Sequence, residues 1–179
     1  MYIGESDSFE KAIRSGNYKK VKSLTEAKWY RKPKDINQFY RGYSPFDGYT
    51  ALTIAASLGN KEIVSLLISM GANVNAQTQY KWVSALASFA TYLYGRTPLM
   101  MAALNGHIKI VELLILNGAF INAWSSNPSD FSRGGMESVP DSHETALFLA
   151  AQNNHFDTEI LLKRCGGKIE LNHKEIWGR

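Results

Sequence analysis

The sequence predicts an all-α fold, a solenoid of stacked helix-turn-helix units joined by long finger loops. Two observations lead to this prediction. Three internal segments of the 179-residue chain resemble one another, and their matching turn residues recur at intervals of 47 and 48 residues. Each segment also contains two short apolar stretches on either side of a tight turn. Self-similarity of this kind is the signature of a repeat array, in which stacking of the units supplies the core.

The same helix-capping, helix and turn residues follow one another in each segment. A threonine at a helix N-cap position precedes a short apolar helix that contains a pair of alanines. A turn residue then ends this helix, and a second helix follows with one apolar stripe. The threonines are Thr50, Thr97 and Thr145, and the turn residues are Gly59, Gly106 and Asn154. The predicted helix pairs are 50–58 with 61–70, 97–105 with 108–117, and 145–153 with 156–165.

The motifs of these segments resemble the ankyrin repeat, which has a Thr-Pro-Leu-His opening, a Gly-His turn and a Gly-Ala-x-x-Asn close. Matching residues are Thr97-Pro98-Leu99, Gly106-His107 and Gly118-Ala119-Phe120-Ile121-Asn122. The resemblance implies one domain over residues 1–179, with repeats at about 6–37, 47–76, 94–123 and 142–172, the first and last of them degenerate caps. The opening histidine is replaced by Thr53, Met100 and Phe148, so its bridging hydrogen bonds are expected to be lost.

The junctions between repeats are longer than the family's period of about 33 residues. Each carries roughly 10–15 additional residues, which the resemblance places in the β-hairpin fingers, at about 26–49, 76–96 and 123–144. Insertions in one loop class of a solenoid usually mark the binding face. Aromatic residues are frequent there, and tyrosine, tryptophan and arginine are enriched in interface hot spots. Long fingers also need small cores of their own, so some of these aromatics are expected to pack locally.

The candidate partner-binding residues come from the fingers and from the exposed positions that the resemblance implies for the first helix of each repeat. The finger aromatics are Trp29, Tyr40, Tyr43, Tyr80, Trp82, Tyr92, Trp124 and Phe131. The positions beside the first helices are Tyr49, Ser57, Leu58, Arg96, Leu104, Asn105, Glu144, Gln152 and Asn153. Leu58 and Leu104 are apolar at positions where solvent would favour polar residues, which indicates a partner.

No pattern for catalysis, a cofactor or a metal stands out. His107 and His155 occupy the Gly-His turn, where a structural hydrogen bond is expected, and no histidines and cysteines have metal-ligand spacing. Cys165 is the single cysteine, so an internal disulfide is impossible and a reducing cytoplasm is the simplest location. No apolar run approaches the roughly 20 residues of a membrane span, and the N-terminus lacks the features of a secretory signal.

The expected function is therefore protein binding in a heteromeric complex, without enzyme activity. An inhibitor, such as an immunity protein that neutralises a toxin or enzyme, is one interpretation, and a scaffold or effector that recruits a host protein is another. A nucleic-acid-binding module is the rival class. The net charge of +4 is too small to favour it, and the fingers grade from basic to acidic, whereas a phosphate-binding groove should be basic throughout.

Overall fold

A computed structural model describes residues 5–26, 36–40, 48–79, 95–125 and 144–168. These residues form four antiparallel helix pairs and one short antiparallel sheet, which confirms the predicted all-α solenoid, and each of the six predicted helices agrees within one residue at either end. The helices are α1 (Glu5–Arg14), α2 (Tyr18–Glu26), α3 (Ala51–Ser57), α4 (Lys61–Ser69), α5 (Pro98–Leu104), α6 (Ile108–Leu116), α7 (Ala146–Gln152) and α8 (Phe156–Arg164). The strands are β1 (Trp124–Ser125) and β2 (Glu144–Thr145).

Threonine hydroxyls start the first helices of the three strong repeats, as the sequence predicts. The Oγ1 atoms of Thr50, Thr97 and Thr145 accept hydrogen bonds from backbone N–H groups at 3.2, 3.3 and 3.2 Å, respectively. The expected loss of bridging at this turn is wrong for two repeats. The Thr53 and Thr50 hydroxyls lie 2.9 Å apart and share a hydrogen bond, and the Thr97 N–H donates to Sδ of Met100 at 3.5 Å. Thr53 thus takes over part of the role of the family's histidine.

The core lies between two rows of helices. First helices α1, α3, α5 and α7 stack in one row, and second helices α2, α4, α6 and α8 stack in the other. The alanine pairs make this stacking close, since Ala102 and Ala103 in α5 are fully buried between α3 and α7. Ala151, the α7 residue that corresponds to Ala103, is only half-buried.

The two end repeats carry polar residues on their outer faces, as expected of caps. Lys20 in α2 corresponds to Ile63 in α4, and Lys20 is exposed whereas Ile63 is buried. Glu159 in α8 corresponds to the buried Val64 in α4. The Glu159 carboxylate forms an ion pair with Lys163 at 2.6 Å. Capping repeats need such residues because one side of each faces water.

The turns between paired helices depend on a left-handed backbone and on a side chain from the following repeat. Gly59 and Gly106 have φ values of 78° and 68°, and Asn154 adopts φ 60° at the third such position. The Nε2 atom of His107 lies 3.1 Å from the carbonyl oxygen of Ser57, and Nε2 of His155 lies 3.0 Å from that of Leu104. The predicted structural role of both histidines is confirmed.

Asparagines connect the closing segments of neighbouring repeats. Asn75 donates from Nδ2 to the Gly118 carbonyl at 3.0 Å and accepts at Oδ1 from the Phe120 N–H at 2.8 Å. Asn122 makes the same two bonds to Gly166 and Lys168, at 3.1 and 2.8 Å. Asn37 makes them to Gly71 and Asn73, at 3.5 and 2.7 Å. Each repeat therefore satisfies backbone groups of the next one.

The position of Asn37 shows where part of the additional length of the first junction lies. Asn75 and Asn122 each follow the turn glycine of their repeat by 16 residues, whereas Asn37 follows Gly16 by 21. The sequence prediction placed the additional residues of this junction in finger one, at about 26–49. The asparagine bonds add that five of them (21 − 16) precede Asn37.

The alanine stacking generates the first testable prediction. Ala103→Leu should overpack the contact between adjacent first helices and lower the free energy of unfolding by roughly 1–3 kcal/mol. Ala151→Leu, the matched control, should cost clearly less, because this alanine is half-buried. Urea unfolding of both variants would measure the difference. Equal costs would contradict the stacking described above.

A second prediction separates two reasons for glycine at the turns, the positive φ of the backbone and the close contact with a histidine side chain. A Cβ at Gly106 would lie 2.5 Å from Nδ1 of His155, whereas a Cβ at Gly118 would meet nothing within 4 Å, although both residues have positive φ. Gly118→Ala should cost about 1 kcal/mol from the backbone alone. Gly106→Ala should cost about 1–3 kcal/mol more from the steric conflict. Thermal melts of the two variants provide the measurement, and similar melting temperatures would refute the histidine contact.

Candidate partner-binding surface

The fingers begin as short antiparallel hairpins. In finger one the Tyr40 N–H donates to the Tyr49 carbonyl at 2.8 Å. In finger two the Thr78 N–H donates to the Arg96 carbonyl at 2.9 Å, and in finger three β1 pairs with β2. Residues 41–47, 80–94 and 126–143, which connect these paired ends, lie outside the described residues.

Hydrogen bonds also join the finger bases to one another. The Gln79 N–H donates to the Gly48 carbonyl at 2.8 Å and so connects finger two with finger one. The Gln77 side-chain amide donates to the Trp124 carbonyl at 3.4 Å and so connects finger two with finger three. The three bases therefore form one continuous support along the array.

The expectation that Arg96 and Glu144 are exposed contact residues is wrong. Arg96 is buried, and its Nε donates to Oε2 of Glu144 at 3.0 Å, with Nη2 donating to the same oxygen. The Ser125 hydroxyl donates to this oxygen as well, at 3.4 Å. A guanidinium and a carboxylate that lose water together must satisfy each other. The two residues are thus an internal bridge between fingers two and three.

Tyr40 and Tyr49 are also buried, although the sequence placed both among the exposed contact residues. Burial raises the pKa of the Tyr40 phenol, and burial raises the pKa of Tyr49 as well, so both side chains are neutral over the physiological range. They belong to the core at the base of finger one, which is the local packing that long fingers require.

The exposed ends of the first helices and the finger bases together form what we call the concave surface. Leu58 is 40% exposed, and Leu104 and Ser57 are half-buried. Trp124 of β1 is 46% exposed, whereas its neighbour Ser125 is buried. The remaining members, all exposed, are Asn105, Gln152 and Asn153.

The asparagines of the concave surface are held by their own helices. Nδ2 of Asn105 donates to the Met101 carbonyl at 2.9 Å, and Nδ2 of Asn153 donates to the Leu149 carbonyl at 2.8 Å. These bonds leave the Oδ1 atoms of both side chains as acceptors. The surface therefore combines leucine and tryptophan side chains with fixed amide groups, and the described part of it contains no exposed acid.

Six candidate aromatics cannot be placed on this surface. Trp29, Tyr43, Tyr80, Trp82, Tyr92 and Phe131 lie outside the described residues.

Sequence reasoning missed a second apolar region, on the side of the second helices. Leu116 at the end of α6 is 83% exposed, and Phe120 in the segment that follows is 67% exposed. The sequence does contain a sign of this region, because the residues equivalent to Leu116 are polar: Ser69 in α4 and Arg164 in α8. Both side chains are therefore exposed and apolar at positions where the sister repeats have polar residues.

The described residues offer little for other chemistry. No three of their histidine, cysteine or carboxylate side chains lie close enough together to hold a metal ion. Among the helices of the described ranges, none has the length and apolar character needed to cross a membrane.

Comparison with known proteins supports the repeat assignment. A family model described as ankyrin repeats (3 copies) matches residues 9–125, which include strand β1 and the first three helix pairs except for residues 5–8 of α1. The fourth helix pair lies beyond this match, but it stacks on the third in the same manner. No curated protein matches the chain.

The bridge between fingers two and three generates a third prediction. Arg96→Met should lower the free energy of unfolding by about 1–3 kcal/mol, because the Glu144 carboxylate is left partly buried without its guanidinium. Adding Glu144→Gln should recover part of this loss. A double-mutant cycle in urea should give a coupling of about 1 kcal/mol or more. The exposed Lys109–Glu112 pair, 3.3 Å apart, is the control and should give about 0.5 kcal/mol or less. Additive effects in both cycles would disprove the bridge.

Proposed function

The chain belongs to the ankyrin-repeat family, and we propose on this premise that it binds a partner protein through its concave surface and its fingers and has no catalytic activity of its own. Ankyrin repeats are protein–protein interaction modules in general, typically non-enzymatic. The observation that carries the proposal is the exposure of Leu58 and Trp124, two apolar side chains on a support that is otherwise well packed. Apolar and aromatic anchors of this kind dominate binding energy at protein interfaces.

The rigidity of the support favours the same role. The finger bases are joined by backbone bonds and by the Arg96–Glu144 bridge, and the concave asparagines are fixed by bonds to Met101 and Leu149. A surface that is already ordered loses less conformational entropy on binding. This arrangement suits a partner that docks as a folded body.

Within this role we favour an inhibitor, such as an immunity protein that covers a functional surface of a toxin or enzyme in the cytoplasm. The alternative is a scaffold or effector that recruits a host protein. An activity assay of the captured partner distinguishes them, because an inhibitor abolishes the partner's activity in the complex and a scaffold leaves it intact.

Nucleic-acid binding is the rival function. It would require a cationic track along the whole binding face, and the central concave residues Leu58, Leu104 and Asn105 are uncharged. A steep dependence of affinity on salt concentration would favour nucleic acid.

The fourth prediction concerns binding itself. Alanine at Leu58, Trp124, Tyr43 or Trp82 should weaken binding of a partner captured from the source cell, and a true hot spot among them should cost about 2 kcal/mol, roughly 30-fold in affinity. Calorimetry of the single variants provides the measurement, with thermal melts to confirm folding. Lys109→Ala and Glu112→Ala, on the opposite side, are controls that should bind like the parent.

Leu116→Ala and Phe120→Ala provide the decisive comparison. Normal binding by all four concave and finger variants, together with loss of binding in these two, would move the interface to the second-helix side. The proposal for the concave surface and fingers would then be wrong.

A further inference from the structure

The four most exposed large apolar side chains of the described residues all belong to the last two repeats, and each is more than half exposed. They are Leu116 at the end of α6, Phe120 just after it, and Phe156 and Ile160 in α8. We call these four residues the second-helix patch. Because α6 and α8 are neighbours in the row of second helices, the patch lies on the side of the array away from the concave surface.

The repeat fold does not require apolar residues on this side. Each of α4, α6 and α8 has outward-facing residues at the third, sixth and tenth positions after its turn residue. In α4 these residues are Glu62, Ser65 and Ser69, which are all polar. Leu116 corresponds to Ser69 and Ile160 to Ser65, and α8 belongs to a cap, whose outer side should be polar for solubility. The fold alone therefore does not account for the concentration of exposed apolar residues here.

The charges of the same two helices are arranged so that this side can meet a second copy of itself. Lys109 in α6 and Asp157 in α8 occupy equivalent positions, are exposed and have opposite charges. Arg164 lies one turn after Ile160, and Ile160 corresponds to Glu112 of α6. The outward residues of α6 and α8 together carry two positive and two negative charges, so this side is neutral although the chain has a net charge of +4. Two copies therefore do not repel each other here.

A symmetric dimer would use this arrangement. A two-fold axis parallel to α6 and α8 places each residue on this side of α6 opposite the equivalent residue of α8 in the second copy, and the reverse contact forms at the same time. Within the described ranges, Asp157 and Arg164 form no ion pair that would compete. The facing pairs are Ile108 with Phe156, Lys109 with Asp157, Glu112 with Ile160, Leu116 with Arg164, and Phe120 with Lys168. None of these pairs brings like charges together, and they include an apolar pair, an ion pair and a cation beside an aromatic ring.

We propose that the second-helix patch is the interface of a homodimer, in which α6 of each copy packs against α8 of the other. The inference goes beyond the proposed function and does not depend on it, because both concave surfaces stay open in such a dimer. A different partner protein, or residues 169–179 of the same chain, would cover apolar side chains equally well. Neither of them requires opposite charges at Lys109 and Asp157, and this complementarity favours a second copy.

Sedimentation velocity of the full 179-residue chain over a wide concentration range tests the proposal. The parent should show an equilibrium between monomer and dimer. Leu116→Ser and Ile160→Ser, which introduce the residues that α4 has at the same positions, should each weaken the dimer about tenfold, because each change removes two symmetric contacts. Leu58→Ser, the matched control on the concave surface, should change the dissociation constant less than about twofold.

A charge reversal tests how the two helices face each other. Lys109→Glu places like charges opposite each other at two symmetric sites and should weaken the dimer about tenfold at low salt. Adding Asp157→Lys restores opposite charges and should return the dissociation constant to within about twofold of the parent value. Lys61→Glu, the control in the first turn of α4, should leave the dimer unchanged. Thermal melts of all variants confirm folding.

The outcomes also separate the candidate occupants of the patch. A parent that stays monomeric, a Leu58→Ser effect as large as that of Leu116→Ser, or no rescue by Asp157→Lys would each overturn the proposal. A monomeric parent that dimerises only after residues 169–179 are deleted would assign the patch to that segment instead. A monomeric parent whose Leu116→Ser variant loses a captured partner protein would assign the patch to that partner.

Discussion

The structure depends on close contact between neighbouring first helices. A helix of seven residues is too short to be stable alone, and one helix pair cannot bury its own apolar stripe. Ala102 and Ala103 solve this by allowing α5 to approach α3 and α7 closely, and the same alanine pair recurs in the other strong repeats. The threonine caps, turn glycines and closing asparagines then hold each pair in the orientation that the stack needs.

The repeat core could be predicted from the sequence because it repeats. Thr97, the alanine pair and Gly106 each report a local requirement that recurs three times, so helix positions agreed within one residue. The first repeat was predicted to end at about residue 37, but the role of Asn37 as its closing asparagine was not, because only the bonds of this side chain to Gly71 and Asn73 identify it. The sequence has no neighbouring glycine-alanine motif there to mark it.

The candidate surface was predicted less well, and for a physical reason. Aromatic and charged residues at finger bases suit an interface and a local core equally, and only burial separates the two. Tyr40, Tyr49 and Arg96 proved to be internal, while Leu58 and Trp124 are exposed. Arg96 and Glu144 are 48 residues apart in the chain, and composition cannot show that they pair. The exposed Leu116 was visible only by comparison with Ser69 and Arg164 in the sister repeats.

The asparagine bonds are interchangeable between repeats, since Asn75 and Asn122 use the same atoms on equivalent partners. If only these bonds joined the repeats, the repeats could be reordered or deleted and the asparagine bonds between neighbours would still form. The residues that precede the cap threonines are not interchangeable: Tyr49, Arg96 and Glu144 follow one another along the array, and only Arg96 beside Glu144 neutralises both charges. The backbone contacts between repeats are therefore the same at each junction, whereas the side chains before the cap threonines favour one order of the repeats.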